Sequence, residues 1–114
     1  MIAQPREIEY YTTLNGDAPF SQWMDSLNDP IGRAQVDARI ARLRLGSLGF
    51  YDSVGEGVIE LKFKNIGPGY RIYCAQNGLN VVLLLCAGTK NGQQADIERA
   101  KAYWREFRSR NVKK

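Results

Sequence analysis

From Leu61 to Ala95 the chain contains no Asp or Glu, yet it carries Lys62, Lys64, Arg71 and Lys90. Cations with no carboxylate near them in sequence make an anion site. Phosphate is the obvious anion, and RNA the polymer that best fits the pattern. The set suits cleavage of RNA by its own 2′-hydroxyl. That reaction needs a base for the hydroxyl, charge stabilisation at the pentavalent phosphorus and an acid for the leaving 5′-oxygen. Arg71 is the best phosphate clamp, because a guanidinium pairs bidentately and stays charged. Lys62 or Lys64 can stabilise developing charge, and a lysine crowded by cations can act as base. Tyr73 is a weaker acid–base candidate. The chain has no histidine, so its acid–base power is poor in isolation and depends on the substrate's surroundings.

These residues need a sheet to hold them. Gly57–Lys64 reads as a strand, with Ile59, Leu61 and Phe63 on one face and Glu60, Lys62 and Lys64 on the other. Asn65-Ile66-Gly67-Pro68-Gly69 is a turn, and Tyr70–Gln76 the next strand. If Ile72 and Cys74 join the core face, Lys62, Lys64, Arg71 and Tyr73 share the opposite one. A slip of one residue would bury the cations, which fixes the register. Glu60 opens the polar face as a partner for Lys62 or Arg71. Asn77-Gly78 signals a short hairpin, and Leu79–Ala87 a central strand buried on both faces. Lys90 follows it and reaches the rim of the cation face.

The remaining elements complete an α+β domain. Arg6–Thr13 is rich in β-formers and predicts a first strand. Asp17 offers an N-cap with Pro19 in the first turn, and Phe20, Trp23, Met24 and Leu27 mark one helical face. Asn28-Asp29-Pro30 ends that helix and caps a second, on which Ile31, Val36, Ile40 and Leu43 recur until Gly46. Arg33, Arg39, Arg42 and Arg44 decorate this helix as a solvated face. Gly46–Gly57 reads as a glycine-punctuated loop. Gln94–Arg110 is the last helix, with Ile97, Ala100, Trp104 and Phe107 as its apolar stripe. Trp23, Trp104 and Phe107 sit at core spacing. The expected order is β-α-α-β-β-β-α: an N-terminal strand, a helical hairpin, a three-stranded antiparallel meander and a C-terminal helix.

Composition narrows the function. The 114 residues predict one domain, 1–114, with 44% hydrophobic and 25% charged residues. No apolar run is long enough to span a membrane, and the N-terminus lacks a signal-peptide core, so a cytoplasmic protein is expected. Cys74 and Cys86 fit no metal-ligand spacing and read as small core residues rather than a disulfide. No metal or other cofactor is implied. The net charge of +4 is unevenly spread. Residues 1–60 hold five cations and nine acids, and residues 61–114 hold eleven cations and three acids. That asymmetry points the C-terminal half toward nucleic acid. Arg42 and Arg44 on the second helix, and Arg99 and Lys101 on the last, are candidate RNA contacts.

The run Val54-Gly55-Glu56-Gly57-Val58-Ile59-Glu60-Leu61-Lys62, then Gly67-Pro68-Gly69-Tyr70-Arg71-Ile72-Tyr73, Val81–Leu85, and Lys90 with Gln94, Asp96-Ile97, Ala100 and Trp104, resembles the RelE/ParE toxin superfamily. Its nearest likeness is to the phage-derived, HigB-like "addiction module killer" branch, from Phe20-x-x-Trp23 to Trp104. The resemblance implies the toxin half of a type II toxin–antitoxin pair that cleaves mRNA on the ribosome and so inhibits translation, independently of metal. Carried over by position, its working residues are Lys62, Lys64, Arg71 and Lys90. The implied partners are the ribosome with its mRNA and a cognate HigA-like antitoxin of helix-turn-helix type, with a higher-order complex on operator DNA. The antitoxin is expected on the helical hairpin, Asp17–Leu45, or on the basic sheet face. Two departures stand out: some HigB-type sites use histidine, and Thr89 stands where this branch frequently has an acid. The alternatives are a ParE-like inhibitor of DNA gyrase and a non-toxic antitoxin-binding module.

Overall fold

The computed structural model describes residues 5–64 and 67–110. Its order is β1 (Glu7–Tyr10), α1 (Pro19–Ser26), α2 (Pro30–Arg44), β2 (Tyr51–Gly55), β3 (Val58–Lys62), β4 (Tyr70–Gln76), β5 (Val81–Thr89), a 3₁₀ turn (Lys90–Gly92) and α3 (Gln93–Arg110). The strands form one sheet in the order β1-β5-β4-β3-β2. β2 to β5 make an antiparallel meander, and β1 joins β5 in parallel. The α+β class and the succession of elements are those expected. The additional strand, β2, lies in the stretch read as a loop. Glycines at Gly49, Gly55 and Gly57 hid it, but Tyr51 to Ser53 extend along β3 at the sheet edge.

The helical hairpin covers one face of the sheet. Phe20, Val36, Ile40 and Leu43 pack there with Leu61, Phe63, Ile72, Cys74, Val82 and Leu84. α3 covers the other, where Ala100 and Trp104 meet Tyr11, Val58, Tyr73, Leu83, Leu85 and Cys86. Both cysteines are buried and free. Between Tyr73/Cys86 and Cys74/Leu84 the β4–β5 register shifts, leaving Leu85 without an opposite residue. This bulge turns both Leu85 and Cys86 toward α3.

Local details depart from expectation for physical reasons. Asp29 does cap α2, accepting from the Gly32 N–H at 3.0 Å. The residue capping α1 is Ala18, not Asp17, which instead closes a turn with Thr13. Ile31 and Leu79 are 72% and 87% exposed, so neither joins the core. Leu79 is left out because Asn77 already donates to the Val81 carbonyl, and the Gln76 side chain holds the Gly78 and Leu79 carbonyls. Arg39 is not solvated: it is buried, and its guanidinium donates to the carbonyls of Leu48, Phe50 and Lys62. It stacks over Phe63, 5.0 Å from the ring centre. A single side chain thus ties α2 to the segment before β2 and to the end of β3. Asn65 and Ile66, the start of the expected turn, lie outside the described residues.

Candidate nucleic-acid site

The register of β3 and β4 pairs Ile59 with Cys74, Glu60 with Tyr73, Leu61 with Ile72 and Lys62 with Arg71. The cations therefore share the face opposite the helical hairpin. Extended across the sheet, the pairings define two rows. The deeper row is Asp52, Glu60, Tyr73 and Cys86. The outer row is Phe50, whose carbonyl accepts from the Lys62 N–H at 3.0 Å, then Lys62, Arg71 and Gly88. α3 covers much of the deeper row, so the face shared by Lys62, Arg71 and Tyr73 is not open along its length. In the deeper row only Asp52, at the sheet edge, is exposed; in the outer row Phe50 is exposed, Lys62 and Arg71 are partly exposed and Gly88 is buried.

Arg71 is the centre of the outer row. Its Nη1 donates to the carbonyls of Gly69 and Tyr70, each at 3.2 Å. Its Nε is buried without a hydrogen bond and faces Glu60 Oε2 at 3.8 Å, a charge contact rather than a bond. That oxygen is already taken by the Tyr73 hydroxyl and by Gln93 Nε2, both at 2.8 Å. The Glu60 carboxylate is thus the buried hub beneath the cation, fixed from β4 and from the first turn of α3. Sequence reasoning gave Glu60 a pairing role but did not single out Gln93. Nη2 of Arg71 has no partner among the described residues and is the donor left for an anion.

Lys90 joins Arg71 through Gly69. Gly69 has φ +76, and a side chain there would meet Lys90 Cβ at 3.0 Å and Arg71 Nη1 at 3.6 Å. The Lys90 N–H also donates to the Pro68 carbonyl at 3.4 Å. The exposed Lys90 has no carboxylate partner among the described residues. Lys62 lies beside Arg71 but is ion-paired with Asp52 of β2, so its nearest charge is a carboxylate rather than a crowd of cations. Lys64 is exposed and stands 4.6 Å over the Phe50 ring.

Tyr73 shares the face but lies one row deeper with no exposed surface. Burial, then its bond to Glu60, pushes its phenol well above the ordinary tyrosine range. It is correctly read as a face-mate of Arg71, but its place is under the site, where it holds Glu60.

The four outlying cations are not one group. Arg99 is close to the outer row: it pairs with Asp96 at 2.9 Å, and Asp96 packs directly against Gly88. Burial raises the Asp96 carboxyl, opposed by Arg99. Lys101 lies beside Gly55, at the β2–β3 turn and hence at the far end of the strands. Arg42 and Arg44 belong to the last turn of α2, on the other side of the sheet. The site is therefore Arg71, Lys90, Lys62 and Lys64, with Arg99 at its margin.

No family model matches the chain. An uncharacterized protein of Haemophilus influenzae is 40% identical over 101 residues, which cover 88% of this chain and 96% of that protein. The chain belongs to the same family as that protein.

Proposed function

We propose that this protein is the toxin component of a type II toxin–antitoxin system, of the RelE/ParE type, and that it cleaves ribosome-bound mRNA in the cytoplasm. The observation that supports this reading most is the meeting of Arg71 and Lys90 at Gly69, above a buried carboxylate. Arg71 holds the scissile phosphate through its remaining donor. Lys90 faces the charge that develops as the 2′-hydroxyl gives its proton to water and attacks phosphorus, forming a 2′,3′-cyclic phosphate, while the P–O5′ bond breaks and the 5′-oxygen takes a proton from water. Glu60 carries no solvent-facing function here; it neutralises and orients Arg71 from below. No buried pocket is needed, because the substrate is a strand laid across a sheet end. The reading also fits the basic C-terminal half, residues 61–114, which holds the end of β3 together with β4, β5 and α3.

The partner is then an antitoxin, whose task is to cover the cation row or hold the helical hairpin. The test is induced expression without an antitoxin. Wild type is expected to arrest growth, whereas Arg71→Ala and Lys90→Ala, expressed to the same level, lose toxicity. Full toxicity of both variants would remove this site.

A further inference from the structure

Phe50 is half-exposed, with 46% of its surface open, and it belongs to neither core cluster. It is nevertheless held firmly. Its carbonyl accepts from the Lys62 N–H and from the buried Arg39 guanidinium, so its backbone is fixed from β3 and from α2. The ring continues the outer row: Lys62 and Lys64 stand 5.6 Å and 4.6 Å from its centre. Asp52 occupies Lys62; the exposed Lys64 stands over the ring, and a base stacking on that face displaces its ammonium group toward a phosphate of the same strand. From Phe50 to Arg71 is two strand spacings, about 10 Å, roughly the reach of one nucleotide.

We propose that Phe50 is a stacking platform for an RNA base next to the phosphate held by Arg71 and Lys90. The proposal rests on the nucleic-acid reading of the cation row and adds a base subsite to it. A protein segment could satisfy the cations with carboxylates, but it would not call for a flat aromatic face at nucleotide distance from a phosphate clamp. Every base has a π-face, so this subsite favours single strands with unstacked bases and tolerates any sequence. Lys64 would follow the backbone of the same strand.

The test is fluorescence anisotropy with the full chain and a short labelled single-stranded oligoribonucleotide, intact or with one abasic position. Phe50→Ala is expected to weaken binding of the intact strand by about tenfold, and Phe50→Trp to restore it. On an abasic strand, wild type and Phe50→Ala should bind alike. The salt dependence should stay unchanged in Phe50→Ala and become shallower in Arg71→Ala, which loses a phosphate contact. Circular dichroism should show the same thermal unfolding for Phe50→Ala as for wild type, because the ring is outside both cores. If Arg71→Ala weakens binding but Phe50→Ala does not, the base subsite is wrong while the phosphate site stands; Phe50 is then free for a protein partner. If wild type binds no RNA at low salt, the base subsite is overturned, while the function it rests on is decided separately by cleavage of mRNA on the ribosome.

Discussion

At the scale of single residues, the site separates groups that touch an anion from groups that hold them. Glu60 and Tyr73 are both almost completely buried and bonded to each other, and the Glu60 oxygen also takes Gln93 and faces Arg71. Tyr73→Phe removes one hydrogen bond to a charged group, which costs about 2 kcal/mol of stability. Cleavage is expected to stay within a few-fold of wild type. Glu60→Gln leaves the Arg71 guanidinium without its counter-charge and is expected to cost about 3 kcal/mol and to lower cleavage by more than tenfold. Urea unfolding and single-turnover cleavage, run on the same preparations, check both; a Tyr73→Phe protein as inactive as Arg71→Ala would return the phenol to the chemistry. The alternation of apolar and basic residues made Lys62, Arg71 and Tyr73 legible in sequence as one face. It carried no information on depth. Whether a polar residue on a strand meets water depends on what lies over it, and the covering helix comes from far along the chain.

Elements decide how the cations meet. Gly69 ends the loop before β4 and touches both Lys90 and Arg71, so the β3–β4 loop and the start of the 3₁₀ turn are one unit. Gly78 gives an internal comparison, since its φ of +85 is similar but nothing lies within 4 Å of where a side chain would start. Gly69→Ala and Gly78→Ala should each cost about 1 kcal/mol of stability from backbone strain. Only Gly69→Ala should also lower cleavage, by about tenfold, because a 1 Å displacement of a positioned group is enough for such a loss. Equal activity of the two would show that the Gly69 contact does not position Lys90. The Asn-Gly, Gly-Pro-Gly and Asp-Pro signals located the turns and the start of α2 well. β2 was missed because its pairing with β3 is the work of a neighbouring strand, not of its own composition. Arg39 was misread for the same reason: its partners are three carbonyls of a loop and a strand end, and no helical periodicity reveals them.

The whole molecule ties its surface together with charge pairs that respond to pH. Bonds from Tyr70, Arg105 and Arg110 hold the carboxyls of Asp29, Glu56 and Glu106 respectively below the usual carboxylate range. A lowered folded-state value gives stability that is present above the unfolded value and lost as pH falls through the folded one. Asp96, raised mainly by burial, works in the opposite sense and softens that loss. Burial and Glu106 push Tyr11 up to about 12, and the bond to Asp29 does the same for Tyr70. Their stabilisation is complete below the unfolded value of 10.0 and disappears as pH rises through 12. Stability from urea unfolding is therefore expected to be level between about pH 5 and 9, to fall on the acid side and to fall again above about pH 10. Stability that kept increasing beyond about pH 10 would contradict these pairings. Among the described residues no helix is long and apolar enough to cross a membrane. At this scale the charge asymmetry of the sequence was informative, because the basic half builds the strands and helix around the cation row. It could not say which cations are neutralised: Lys62, Arg99, Arg105 and Arg110 all find carboxylates in the fold. The measurement that tests the central claim most directly is primer extension on an mRNA in a reconstituted translation reaction, with wild type beside Arg71→Ala. New RNA ends inside ribosome-occupied codons, absent without ribosomes and absent with Arg71→Ala, are the predicted result. Toxic wild-type protein that yields no new ends would contradict it, and would make the basic sheet end a docking surface for a protein target such as gyrase.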